Sequence, residues 1–127
     1  MTNEDRELLE LAAKSVGIKL EINVYGSGNY DAGFWTAYGG IGRHSWYPWD
    51  PIKDDGDALR LAVKLALRID YCSVLYVAQK PSCWVSWVPG GMKNRITQDL
   101  YEFDNDPCAA TRRAIVKAAA EIGRRMG

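Results

Sequence analysis

The chain has 127 residues, 16 basic and 16 acidic side chains, and an apolar share of 47%. That length fits one domain, expected over residues 1–127, with enough core to need neither disulfides nor a structural metal. The charge balance carries no whole-chain signature of a nucleic-acid binder, and the apolar content is not that of a disordered chain.

Three cysteines, Cys72, Cys83 and Cys108, form no CxxC pair and stand apart from the lone histidine, His44. They read as small buried hydrophobes in a reducing compartment, not as zinc ligands or disulfide partners. The opening MTNEDRELLE lacks the basic and apolar regions of a secretory signal, and no apolar run approaches the roughly 20 residues that span a bilayer. The expected location is the cytosol of the cell that makes the protein, with no membrane partner.

Thr2 or Asn3 is placed to cap a first helix over residues 3–16, with Glu4 and Asp5 in its first turn. Leu8, Leu11, Ala12 and Val16 recur at helical spacing, and Gly17 supplies a left-handed stop. From Ile18 the period drops to two: Ile18, Leu20, Ile22 and Val24 alternate with polar residues, as in a half-buried strand. Residues 26–49 interleave six glycines with Tyr30, Phe34, Trp35, Tyr38, Trp46, Tyr47 and Trp49. Two short strands, 34–38 and 44–49, fit there, turning at Gly39, Gly40 and Gly42.

The stretch Trp49–Ile69 reads as the organiser of the core. An acidic turn (Asp54, Asp55, Asp57) opens a helix that is apolar around its whole circumference from Ala58 to Ile69, except for the stripe Arg60, Lys64 and Arg68. A covered strand over 72–79 then leads through Lys80-Pro81-Ser82 into a second strand over 83–88, and residues 96–103 offer an edge strand. Asp106-Pro107 starts a last helix that buries Ile115, Ala118, Ala119, Ile122 and Met126, with Arg112, Arg113, Lys117, Glu121, Arg124 and Arg125 facing out. The order α-βββ-α-ββ(β)-α predicts an α+β fold, an antiparallel sheet of about five strands with three helices packed on it in layers.

Two of these stretches, WDPIKDDGDALRLAVKLALRI and DNDPCAATRRAIVKAAAEIGRRMG, resemble the paired helical signatures of the phage ABA-sandwich domain proteins, and the opening NEDRELLELAAKSVGI is similar as well. The resemblance covers about half the chain and is nearly all helical scaffold. It implies a small accessory protein of a phage or prophage acting in the cytoplasm of the infected bacterial host. It implies no cofactor, metal or catalytic residue.

The familiar chemical motifs fail on spacing. GSGNYDAG lacks the Lys-Ser/Thr ending of a P-loop, and GGIGR lacks the spacing of a dinucleotide fingerprint. The acidic turns at 54–57 and 104–106 do not place ligands as a calcium loop does, and each precedes a helix it can cap. His44 beside Arg43 and Trp46 has no partner that sequence brings to it.

What remains is an aromatic surplus of five tryptophans and seven tyrosines. Aromatic and arginine side chains dominate recognition sites. The candidate binding set is therefore Trp35, Tyr38, Arg43, His44, Trp46, Tyr47 and Trp49, with Trp84 and Trp87, which alternation sets on opposite faces of their strand.

The leading expectation is a non-enzymatic protein that binds and modulates a host protein or small ligand through this surface; interference with host defence is one purpose it would serve. Two alternatives stand beside it. One is a sponge or hydrolase for a nucleotide signal, using Arg43, His44 and stacked tryptophans. The other is RNA or DNA binding by Arg112, Arg113, Arg124 and Arg125 of the last helix. Homodimerisation through a sheet edge or the alanine-rich helix is also open.

Overall fold

The computed structural model describes residues 2–23, 33–37, 46–72, 81–88 and 92–126, and for residues 21–23, 33–37, 46–47, 72 and 92 it describes the backbone alone. The chain is α+β. Its elements run α1 (Asn3–Val16), β1 (Glu21–Asn23), β2 (Gly33–Ala37), β3 (Trp46–Pro48), α2 (Asp55–Lys64), β4 (Arg68–Cys72), β5 (Ser82–Ser86), β6 (Arg95–Asp99) and α3 (Pro107–Arg125). Among the described residues the strands form two antiparallel three-stranded sheets, β1-β2-β3 and β4-β5-β6, where the sequence led to one sheet of about five. The turn glycines Gly39, Gly40 and Gly42, and nearly all of the strand expected over 72–79, lie outside the described residues. The partner of β5 is instead Arg68–Cys72, with Cys72 opposite Ser82, so the connection spans residues 73–81 and not the short Lys80–Ser82 link.

The outer helices end where local chemistry says they should. The Thr2 hydroxyl accepts from the Asp5 N–H at 3.0 Å, and Gly17 adopts φ 71° while the Ile18 N–H reaches back to the Ala13 carbonyl. At α3, Asp106 accepts from the Cys108 N–H at 3.0 Å, with Pro107 in the first turn.

The organising helix is α3, not α2. It packs on α1, α2, β5 and β6, and buries Ala110, Ala114, Ile115, Val116, Ala118, Ala119, Ala120 and Gly123. Small residues on so much of its circumference let neighbours approach from several directions. Met126, expected in the core, is exposed, whereas the Arg112 and Arg113 side chains, expected in solvent, are only 16% and 13% exposed.

The α2 helix is shorter and less buried than its composition predicts. It stops at Lys64 because Ala66 takes φ 53°: the Ala66 N–H donates to the Val63 carbonyl and the Leu67 N–H to the Ala62 carbonyl, the bonding of a Schellman stop with alanine where glycine is usual. The residues Leu65–Ile69 thus become a turn and the start of β4. Because alanine is strained at positive φ, Ala66→Gly should raise stability by about 0.5–1 kcal/mol after the entropy cost of glycine is counted, measured by urea denaturation.

Ahead of α2 the chain is tied into a knot. Trp49 and Pro51 are buried. The Asp50 N–H donates to Asp57 Oδ2 at 3.0 Å, Asp57 Oδ1 accepts from Arg60 at 2.7 Å, and Asp54 caps the helix by accepting from the Asp57 N–H at 2.8 Å. Burial raises the Asp50 carboxyl above its ordinary value, opposed by hydrogen bonds from the Lys53 and Ile52 N–H groups. The acidic turn is accordingly a cap and a brace.

Candidate functional site

By register, Ile69 and Tyr71 of β4, Cys83 and Val85 of β5, and Ile96 and Gln98 of β6 share one face of the second sheet. Cys83, Val85 and Gln98 are buried there, against the side that α3 covers. Between α2, β4 and the start of α3 the cover is incomplete. The result is an open groove of about 590 Å³, within the range of ligand-sized cavities, floored by Ala58, Ile69, Leu100 and Ile115. Its walls are Leu59, Tyr71 and Tyr101, which are 62%, 59% and 50% exposed, with Pro107 and Cys108.

The surplus on α2 creates one wall. Ala58, Leu61 and Ala62 satisfy the core, which leaves Leu59 and Val63, four residues apart, on the outer side. Two polar arrangements close the groove's ends. Arg112 donates through Nε to the Ile52 carbonyl at 2.8 Å and through Nη1 to Asp55 at 2.7 Å, which fixes α3 to the entry of α2. At the other end the Thr111 hydroxyl donates its single hydrogen to the Pro107 carbonyl at 2.8 Å. The same hydroxyl lies 3.0 Å from the Tyr71 phenol oxygen, which joins β4 to α3. Beneath, burial pushes the Cys83 thiol up, and the Thr111 hydroxyl acts in the opposite sense. Cys108, expected to be buried like the other cysteines, is exposed on the wall.

The sequence-predicted set divides sharply. Tyr38, Arg43 and His44, and with the last two the nucleotide-handling alternative, lie outside the described residues. Trp35 and Trp46 occupy register positions on one face of the first sheet and Tyr47 a position of the other, as Trp35 pairs with Pro48, Ala37 with Trp46 and Thr36 with Tyr47. Trp49 is a correction: at 2% exposure it is core and touches no solvent-borne partner.

Trp84 and Trp87 do fall on different sides. Trp84 takes the outer face with Arg95 stacked 4.4 Å from its ring centre, and Trp87, just past β5, packs on the core edge with the Arg125 guanidinium 5.6 Å from its ring. Groove and Trp84 therefore lie on opposite sides of the second sheet.

The four arginines proposed for nucleic acid are all committed within the molecule. Arg112 holds Asp55, Arg113 holds Asp5 and Glu4, and Arg124 and Arg125 both hold Glu121, Arg125 also donating to Asn94 and the Lys93 carbonyl. Phosphates would compete with these carboxylates for the same guanidinium groups, of which those of Arg124 and Arg125 remain about half exposed. Sequence reasoning missed Leu59, Tyr71 and Tyr101; the one signal present was that α2 carries more large aliphatics than a single buried face can take.

Compared with protein-family models, with curated proteins and with solved structures, the chain matches none of them. Among the described residues no helix is long and apolar enough to cross a membrane.

Proposed function

We propose that the chain is a non-enzymatic phage accessory protein that works in the host cytoplasm by binding a host component, and that the groove between α2, β4 and α3 is where it does so. The observation that carries this reading is the exposure of Leu59, Tyr71 and Tyr101 around one apolar concavity of about 590 Å³. Large apolar side chains kept in water around a concave floor are what an interaction site requires and a folding core does not. The ABA-sandwich resemblance and the finer architecture it implies, with helices layered on the sheet, belong to the same proposal. It is supported by the two quoted signatures, within which α2 and α3 fall.

The test uses Leu59, because the fold does not need it. Leu59→Arg should leave thermal stability within about 0.5 kcal/mol, as expected for a surface change. It should also abolish capture of the host component that the tagged wild-type protein retains from host lysate. Undiminished capture by a folded Leu59→Arg protein would remove the groove from the reading.

A further inference from the structure

Resting on the reading of the groove as a contact site, we infer that its occupant is a basic peptide segment of a partner protein, anchored by an aliphatic or aromatic side chain. The apolar floor and walls take the anchor; the electrostatics of the mouth decide what flanks it.

Acidic residues stand next to the groove's lining along the chain on both sides, and Asp55 is itself part of the lining. Asp54 and Asp55 stand on the α2 side. Opposite, the loop that delivers Leu100 and Tyr101 to the groove carries Asp99, Glu102, Asp104 and Asp106 within residues 99–106, with no lysine or arginine among them. The lining does contain one cation, Arg112, but the ion pair it makes is lopsided. The Arg112 side chain is 16% exposed and turned inward to the Ile52 carbonyl, whereas that of Asp55 is 78% exposed, so the pair presents its negative end to solvent. The Tyr71 oxygen, 3.0 Å from the Thr111 hydroxyl, has a further lone pair with which to accept. The Tyr71 and Tyr101 rings can also receive a cation over their faces.

Lysine or arginine beside an apolar anchor therefore meets acceptors, the exposed Asp55 carboxylate and phenol rings, while an acidic segment meets that carboxylate with the lining's one cation, Arg112, already engaged by it. A mouth of this sign also draws basic partners in from a distance, to an extent that salt reduces.

The experiment measures fluorescence anisotropy of the whole protein with three dye-labelled peptides of about twelve residues, built from leucine with lysine, leucine with glutamate, and serine with lysine. The leucine–lysine peptide should bind and the other two should not. Its affinity should fall about tenfold between about 50 and 300 mM salt. It should be lost in Leu59→Arg, and weakened about tenfold when Asp55→Asn, Glu102→Gln and Asp104→Asn, which keep side-chain shape, are combined.

Equal binding of the leucine–glutamate peptide, still abolished by Leu59→Arg, would overturn the basic preference and leave the groove reading intact. Binding of the serine–lysine peptide as tight as that of the leucine–lysine one, or binding indifferent to Leu59→Arg, would place the contact elsewhere and overturn both. No binding by any peptide overturns the inference alone if lysate capture still depends on Leu59. Displacement of the leucine–lysine peptide by benzyltrimethylammonium at lower concentration than the peptide itself would reassign the groove to a small apolar cation.

Discussion

Replacing Trp49 by alanine should lower the stability of the chain by about 3–5 kcal/mol, the range for truncating a large buried aromatic. Trp49 is 2% exposed and belongs to the same buried cluster as Leu9, Leu61, Val85 and Val116. Its place is fixed from both sides along the backbone, because Pro51 is buried and the Asp50 N–H is held by Asp57. With that anchoring the neighbours cannot close over the lost indole, and the cavity term should be felt almost in full. For a chain of this length the loss corresponds to a fall in melting temperature of about 10–20 °C, and Trp49→Phe should lose about half as much. A fall below about 1 kcal/mol would mean that the indole is not in the core. The result also bears on function: a binding defect in Trp49→Ala would report unfolding, which is why Leu59 is the residue to change.

Trp49 shows why part of the site was hidden from sequence. It closes an aromatic, glycine-rich stretch, and composition there points equally to recognition and to filling a core; only its distant neighbours on α1, α2, β5 and α3 decide. Element starts were legible because their chemistry is local. Thr2, Asp54 and Asp106 each accept from an N–H of their own first turn, and Gly17 supplies its own stop. The end of α2 was not legible, since alanine is the best of helix formers and Ala66 nevertheless turns left-handed.

That early stop has a consequence for the groove. It brings Ile69 and Tyr71 onto a strand beside α2, where a longer helix would have carried the same residues away along its axis. The groove was illegible for the same reason: it is assembled from residue 55 to residue 115, and no local period brings Leu59, Tyr71, Tyr101 and Cys108 together. Arg112 and Arg113 of α3 were misread in the opposite direction. They stand at exposed-looking helical positions, but their partners Asp5, Glu4 and Asp55 open the other two helices, so each guanidinium ties a helix start to α3.

The crossing of α1 and α3 yields the other large effect, a glycine-to-alanine exchange that should destabilise although alanine favours helix. A Cβ built on Gly123 would lie 2.0 Å from the Leu11 carbonyl oxygen and 2.9 Å from its carbon, both backbone atoms of α1. No rotamer change relieves such an overlap, so the helices must move apart. Buried packing that includes Ala12, Val16, Ala119 and Ala120 loosens with them. Overpacking of this kind costs about 1–3 kcal/mol and occasionally more. The helical preference for alanine returns about 1 kcal/mol. Because the obstacle is backbone, the upper part of the overpacking range applies, and Gly123→Ala should be less stable by about 2 kcal/mol, read from the urea midpoint with an unchanged slope.

Gly56 in α2 is the internal control. A Cβ there meets the ends of the Asp54 and Arg60 side chains, at 3.2 and 3.3 Å, and these need give by only a few tenths of an ångström, a shift that their bonds to Asp57 can follow. Gly56→Ala should therefore be neutral or stabilising by up to about 1 kcal/mol. If Gly123→Ala proved as benign as Gly56→Ala, the two helices would not cross in contact at Leu11, and the small-residue face of α3 would have no close neighbour to explain it.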